Sequence, residues 1–229
     1  MKACKGFDKD MKCRGFQYEE GKTYETDKAK LCESGFHACE SPLDCFRYYE
    51  PAKSVYREVE LDATEETGDD SKRVGKRITI GAKLDVAGIV KAQFAYTKEH
   101  CTNSEMGGNW SALNGGNWSA LNGGYRSALN GGNWSALNGG NWSALNGGNW
   151  SALNGGNWSA LNGGYRSALR GGVGSKFKGG MWAVFACEMR DDYGELIGMK
   201  AAVVDGATIK PDTWYTLKDG EFVEVAEDD

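Results

Sequence analysis

Histidine, the side chain that most often acts as a general acid or base, is scarce in this 229-residue chain. The sequence has two histidines, His37 and His100. It has no phosphate-binding loop, no nucleophile elbow and no HExxH pair. The signatures of the common hydrolytic and phosphoryl-transfer mechanisms are therefore missing. This pattern favours a protein that is not an enzyme and that uses no cofactor.

The seven cysteines form an odd set without a CxxC pair. A metal site would have to combine Cys32, His37, Cys39 and Cys45, but these spacings match no usual zinc pattern, so we predict no metal. The first residues are charged and have no apolar segment of the kind that directs export, which indicates reduced thiols in a cytoplasm. The apolar runs are shorter than a membrane span, so no membrane association is expected.

Within the first sixty positions, the order of several residues along the chain resembles the order of functional residues in ADP-ribosyltransferases. It consists of Arg14, the segment Gly35-Phe36-His37-Ala38 with Tyr48 after it, and Glu60. The resemblance implies that Arg14 and His37 hold a dinucleotide, that Tyr48 stacks on nicotinamide, and that Glu60 stabilises the oxocarbenium ion. The Ser-Thr-Ser element of that family is missing here. The alternative is a small binding domain in which Arg14 pairs with a surface acid and His37 ends a strand.

Residues 107–186 are ten copies of an octad that reads Gly-Gly-Asn-Trp-Ser-Ala-Leu-Asn. Its fourth position supplies the aromatic and cationic side chains that we select as candidate binding residues. Eight of them occur in succession: Trp110, Trp118, Arg126, Trp134, Trp142, Trp150, Trp158 and Arg166.

A short fixed period of this kind is typical of a solenoid, in which each repeat buries its apolar side against its neighbours. A glycine pair in every octad would cost a helix about 2 kcal/mol per repeat, so we predict strands. Substitutions show which positions face outward, because Arg126, Arg166 and Lys176 replace Trp or Ala and an unpaired charge cannot lie in a narrow core. Leu and Ser are therefore predicted to face inward.

The glycine pair is predicted to supply the positive φ angles of a tight corner. One octad is then one strand and one corner, and two octads make one flattened coil. A triangular coil of three octads is the alternative, but one Leu and one Ser per strand fill only a thin core.

With two octads per coil, alternate fourth positions form two outer columns. Their rungs lie about 4.8 Å apart, so rings can stack on rings and arginines on rings. Such columns suit a protein partner or self-association. A nucleic acid is a weaker expectation, because the octads carry only five basic residues. A structural, self-assembling or carbohydrate-binding solenoid is the alternative function, and rings that merely cover the sheet need no ligand at all.

The flanking segments complete a mainly β organisation. We predict a small α+β domain over 1–83, a capping helix and linker over 84–106, the octad solenoid over 107–186 and a β-meander cap over 187–229. Within the first domain, the alternating patterns predict strands at 15–18, 54–61 and 77–80, a helix that starts at Ser41-Pro42-Leu43-Asp44 and reaches Pro51, and a loop over 64–76.

The flanks and the repeats together resemble phage and prophage proteins of gut bacteria. The residues that carry the resemblance are Lys5-Gly6-Phe7-Asp8, Cys13 to Tyr18, Gly35 to Cys39 and the C-terminal block Ala207 to Leu217. The resemblance implies a phage or prophage gene expressed in a bacterial cytoplasm and brings no established activity. The expected function is a binding protein that acts on a host factor, such as a defence protein.

Overall fold

The computed structural model describes residues 1–50, 53–67, 71–191 and 193–226. The chain divides into two compact units, Met1–Ala92 and Gln93–Asp229. Both are built mainly from strands, as the sequence predicts.

The N-terminal unit is a small antiparallel barrel. Its strands are β1 (Lys2–Asp8), β2 (Lys12–Cys13), β3 (Phe16–Gln17), β4 (Thr23–Glu25), β5 (Phe36–Cys39), β6 (Ser54–Thr67) and β7 (Lys72–Leu84). The pairing order β7-β5-β1-β6 closes on itself because β6 also pairs with β7, and β4 extends β7. The barrel buries an aromatic and aliphatic core that consists of Phe7, Tyr18, Phe36, Ala38, Val59, Leu61, Ile78 and Ile80.

Two local predictions in this unit are wrong. The polar segment 64–76 is not a loop, because β6 continues to Thr67 and β7 begins at Lys72. Strands of an antiparallel sheet can carry polar residues on a solvated face, so charge alone does not end a strand. The helix predicted from Ser41 is a 3-10 turn (Pro42–Asp44) followed by a single turn, α1 (Cys45–Tyr48), and its predicted end at Pro51 lies outside the described residues.

The second helix, α2 (Val86–Glu99), begins in one unit and ends in the other. Just after it, the Cys101 Sγ lies 3.8 Å from the carbonyl oxygen of Trp134. The segment that we expect to be a linker is instead a strand, β8 (Asn103–Met106), which pairs in parallel with the second octad. Strand pairing therefore starts four residues before the first octad, and the capping role of α2 stays a prediction.

The C-terminal unit is a β-solenoid with two sheets. Sheet I contains β8, β10 (Ser119–Asn122), β12 (Ala136–Asn138), β14 (Ala152–Asn154), β16 (Ala168–Gly171), β18 (Val184–Arg190) and β19 (Leu196–Val203). Sheet II contains β9 (Ala112–Asn114), β11 (Ala128–Asn130), β13 (Ala144–Gly147), β15 (Ala160–Gly163), β17 (Lys176–Gly179), β20 (Tyr215–Lys218) and β21 (Glu221–Glu224).

Successive octads alternate between the two sheets. Leu121 pairs in register with Leu137 and Leu137 with Leu153, so each coil takes sixteen residues. This confirms two octads per coil and excludes the triangular alternative.

The inward-facing positions are those predicted. The seventh-position side chains form one column of buried leucines that ends in two rings, Phe177 and Phe185, stacked 5.5 Å apart. The fifth-position serines are also buried, and their hydroxyls bond to the backbone of the neighbouring coil: Ser135 Oγ donates to the carbonyl of Gly116 and accepts from the N–H of Ser119. Each buried hydroxyl is thereby satisfied without a water.

The prediction that the glycine pair supplies the positive φ is wrong. The left-handed residue of each octad is the fourth one, as at Trp142 (φ 62°), and the one octad with glycine there also uses it, at Gly174 (φ 72°). The glycines are needed for space. A Cβ on Gly139 would lie 2.7 Å from Ser143 Cβ, and one on Gly148 would lie 2.8 Å from the backbone nitrogen of Asn133 in the previous coil.

The C-terminal strands do not form one meander, because they divide between the two sheets. The hairpin β18–β19 closes sheet I, where Phe185 lies opposite Ala202. The hairpin β20–β21 closes sheet II, where Tyr215 lies opposite Phe177 of β17. In each sheet, the strand that follows the last parallel strand, β19 or β20, runs in the opposite direction.

Alanine at one of the second glycines should destabilise the solenoid by about 1–3 kcal/mol because it overpacks the contact between coils. In Gly148→Ala the new methyl group would collide with the backbone and the Oδ1 of Asn133, an oxygen that accepts the N–H of Asn149. Gly116→Ala is the matched control, since a Cβ there meets nothing within 4 Å. Thermal and urea unfolding of the two variants measures the difference, and equal stabilities would contradict the spacing argument.

Lysine at the sixth octad position should be tolerated on one sheet and not on the other. Ala144 of β13 is exposed, and Lys176 already occupies the same column, so Ala144→Lys should leave the unfolding temperature nearly unchanged. Ala152 of β14 is fully buried, so Ala152→Lys should cost about 3 kcal/mol or more because it buries an unpaired charge. A comparable loss in both variants would contradict the difference between the two outer faces.

Candidate functional site

The fourth-position side chains of alternate octads lie next to one another on the outside of the solenoid. Those that precede sheet I strands form column I, which contains Trp118, Trp134, Trp150 and Arg166. Those that precede sheet II strands form column II, which contains Trp110, Arg126, Trp142 and Trp158.

Column I is closely packed. Trp134 stacks on Trp118 at 5.0 Å and on Trp150 at 4.9 Å, with the rings within 5° of parallel. The Arg166 guanidinium lies 4.8 Å from the Trp150 ring and 5.1 Å from the Tyr165 ring, and the residue is only 7% exposed. The neighbours in this column therefore cover much of one another.

Column II is more open. The Arg126 guanidinium lies 4.8 Å from the Trp110 ring and 6.0 Å from the Trp142 ring, and Trp158 stacks on Trp142 at 5.6 Å. Trp110, Trp142 and Trp158 are 66%, 51% and 55% exposed. Both arginines thus contact ring faces, but only Arg126 is exposed to solvent.

The outer face of sheet II also carries a shallow groove. It encloses about 330 Å³ above a floor of sixth-position alanines, and eighth-position asparagines and Trp214 line it. The asparagines are joined across coils, since Asn146 Nδ2 donates to Asn130 Oδ1 at 2.8 Å and Asn162 Nδ2 donates to Asn146 Oδ1 at 2.8 Å. The Trp214 Nε1 is buried and has no hydrogen-bond partner within the part of the chain that the structure describes.

Sequence reasoning missed two features of this face. Trp214 is remote from the octads and carries no repeat signal. The difference between the two faces is also invisible in the sequence, because both sheets are built from the same consensus octad.

Three of the four residues in the ADP-ribosyltransferase-like order line one cavity of the N-terminal unit. This N-terminal cavity has a volume of about 540 Å³, and Arg14, His37 and Tyr48 are among its lining residues. Glu60 is exposed on β6, where it pairs with Lys2 and Thr79, and it lines a different pocket. The structure therefore does not bring the four residues together, and the carboxylate that would stabilise an oxocarbenium ion is absent from this constellation.

The four residues considered for a metal site are not brought into one cluster either. Cys32 is exposed, and its N–H donates to His37 Nε2 at 2.9 Å. Cys45 is buried and hydrogen-bonds to Cys39 and Cys4, and its burial raises the pKa of the thiol well above its ordinary value. Among the described residues, no group of three or more His, Cys, Asp or Glu side chains has the geometry to hold a metal ion.

The surroundings of His37 favour its uncharged form. Burial lowers its pKa, and the cations Lys5 of β1, Lys72 of β7 and Arg14 between β2 and β3 lower it further. Because the Nε2 accepts the Cys32 N–H, the ring proton is placed on Nδ1.

The lowered pKa of His37 predicts a pH dependence. A histidine whose pKa is lower in the folded state stabilises the fold fully above the unfolded pKa of about 6.5, and that stabilisation is lost as the pH falls through the folded pKa. An NMR titration of the imidazole Cε1–H signals should show His37 below its ordinary value, and His100→Gln assigns the two signals. A His37 pKa at or above about 6.5 would contradict this electrostatic account.

Comparison with known proteins identifies one domain. Residues 1–92 match the family model described as a domain of unknown function (DUF7666). No curated protein and no solved structure matches the chain. No helix in the described part of the chain is both long enough and apolar enough to cross a membrane. Residues 1–92 are thus similar to the DUF7666 family, and a two-sheet β-solenoid of octad repeats follows them.

Proposed function

We propose that this protein is a non-enzymatic binding protein that presents the outer face of sheet II to a macromolecular partner. The observation that carries the proposal is the difference in burial between two surfaces built from the same consensus octad. The sixth-position alanines of sheet I are buried, whereas Ala112, Ala128 and Ala144 of sheet II are exposed. One face is covered within the chain, and the other is left open.

The open face has the composition of an interaction surface. Tryptophan and arginine are enriched among the residues that dominate binding energy, and column II consists of these two types. Its side chains already contact one another, so binding would cost little further side-chain entropy. The exposed aromatic column and the row of alanines beside it also place apolar side chains together on the surface, as interaction sites do.

A protein is the partner class that this surface favours. Nucleic acid binding depends on many contacts between cations and phosphates. Of the two arginines in columns I and II, Arg126 is exposed and Arg166 is buried, so the columns offer few such contacts. The acid-free octads carry only five basic residues. Self-association through the same face is the alternative.

The setting that we infer is a bacterial cytoplasm, with the gene carried by a phage or prophage and a host factor as the target. The resemblance of the flanks to phage proteins supports this setting. The seven cysteines are free thiols, which suits a reducing compartment.

Paired variants of the two columns test the proposal. Trp142→Asn with Trp158→Asn should weaken partner capture about tenfold or more, and Trp134→Asn with Trp150→Asn is the matched control on the covered face. Asparagine is chosen because it tolerates the positive φ of these positions, such as 62° at Trp142 and 57° at Trp158.

The measurement is capture from bacterial lysate on the tagged protein, followed by the affinity of the identified partner for each variant. Circular dichroism and light scattering check the fold and the oligomeric state. Capture that survives the Trp142 and Trp158 changes would overturn the proposal, and a concentration-dependent dimer that they abolish would assign the face to self-association.

A further inference from the structure

Lys5 is a buried cation at the centre of the N-terminal unit. It lies on β1, is only 5% exposed, and lines the N-terminal cavity. Its Nζ donates to the carbonyl oxygen of His37 at 2.8 Å and to the sulfur of Cys13 at 3.6 Å, and it faces the rings of Phe7 and Tyr18 at 5.4 and 5.8 Å. Among the described residues, no carboxylate lies within ion-pairing distance of it.

These neighbours accept hydrogen bonds from two of the three N–H donors of Lys5, but they supply no carboxylate charge. An ammonium that is buried without a counter-ion is costly, and a nearby anion would offset much of that cost. The position of Lys5 beside an open cavity, rather than inside a sealed core, allows such an anion to come from outside the chain.

Two further cations line the same cavity. Arg14 is exposed, with its nearest hydrogen-bond acceptor, the Cys32 carbonyl oxygen, at 3.4 Å, and its own backbone is left-handed (φ 50°). Lys72 reaches in from β7, with its Nζ 4.7 Å from the centre of the Tyr48 ring. Of the described lining residues, Glu25 alone is acidic, and its side chain is exposed.

The charges of Lys5, Lys72 and Arg14 all act on His37, whose pKa they lower. The three cations come from three segments of the chain, and they line the same cavity as His37. A concave site whose described lining holds three cations and one acid concentrates anions.

The cavity also has apolar walls. Phe16 and Tyr48 are 48% and 40% exposed and line it. Phe16 is held edge-on against Tyr18 at 4.8 Å and Tyr24 at 5.3 Å, so its position is fixed by packing. The volume of about 540 Å³ is of the size that accommodates small organic molecules.

We propose that the N-terminal cavity binds a small organic anion in which a phosphate or carboxylate group is joined to a flat ring. Lys5, Arg14 and Lys72 receive the anionic group, and the exposed faces of Phe16 and Tyr48 pack against the ring. This site lies within the DUF7666 domain and does not depend on the solenoid surface proposed above.

Simple probes on the full-length protein test the site. Phenyl phosphate combines the two features, benzoate replaces its phosphate by a carboxylate, and inorganic phosphate and phenol each supply one feature alone. Calorimetric titration should give an affinity for phenyl phosphate or benzoate about tenfold or more above that for either phosphate or phenol. The stronger of the two ring-bearing probes identifies the anionic group.

Substitutions connect the binding to the cations. Lys5→Met retains the aliphatic chain without the charge and should weaken binding of the stronger probe about tenfold or more. Arg14→Met should also weaken binding of the stronger probe. Because Arg14 is exposed, this variant tests the proposal even if Lys5→Met fails to fold. Lys12→Met, an exposed cation on β2 that does not line the cavity, is the matched control and should leave the affinity unchanged.

Two further measurements separate a binding role of Lys5 from a structural one. Without ligand, Lys5→Met should melt at a temperature equal to or above that of the unmodified protein, because an uncompensated buried charge has been removed. The bound anion should also raise the pKa of His37, which NMR titration detects. The proposal is overturned if none of the anionic probes binds, if phenol binds as tightly as they do, or if binding is unchanged in both Lys5→Met and Arg14→Met.

Discussion

The close approach of successive coils at the second glycine of each octad from the third onward is the constraint on which the solenoid depends. At Gly148 there is no room for a methyl group, because the amide and backbone of Asn133 occupy that space. The Asn133 side chain in turn accepts the N–H of Asn149, so each coil is bonded to the next at its corner. With the spacing set in this way, rings of identical octad position are 4.9 to 5.0 Å apart in column I, close to the separation of hydrogen-bonded strands. Ring stacking is therefore a consequence of backbone register.

The same register explains why a bulky residue occupies a left-handed position in most octads. Tryptophan at φ near 60° is unfavourable by about 1–2 kcal/mol in isolation. Here the conformation turns the chain at the corner and directs the ring to the outside, where its neighbours one coil away contact it. Where glycine replaces tryptophan, at Gly174, the conformation remains and the Trp158 ring occupies the space beside it.

The two units treat buried cations differently. In the solenoid, the buried Arg166 guanidinium lies against two rings, and the half-exposed Arg170 pairs with Glu188 at 2.7 Å. In the N-terminal unit, Lys5 has a carbonyl, a thiol and two rings around it and no carboxylate partner among the described residues. A charge that has a partner within the chain stabilises the fold, whereas a buried charge without a carboxylate partner beside a cavity indicates a ligand site. The surroundings of Lys5, and not a catalytic motif, therefore indicate a ligand site in the N-terminal cavity.

The sequence by itself determined the period, the inward positions and the two-octad coil, because each of these depends on a local rule repeated ten times. A charged substitution at the fourth or sixth position and an aromatic one at the seventh are sufficient to separate outside from inside. Other properties depend on contacts between residues far apart in the chain, and only the tertiary structure decided them. The role of the glycines emerged from the next coil, sixteen residues away, and not from their own backbone angles. The difference between sheet I and sheet II, the distance of Glu60 from His37 and the uncompensated charge of Lys5 have the same origin. Octads that share one consensus sequence cannot encode which of the two sheets is covered, because the burial of each outer face depends on the segments that pack against it.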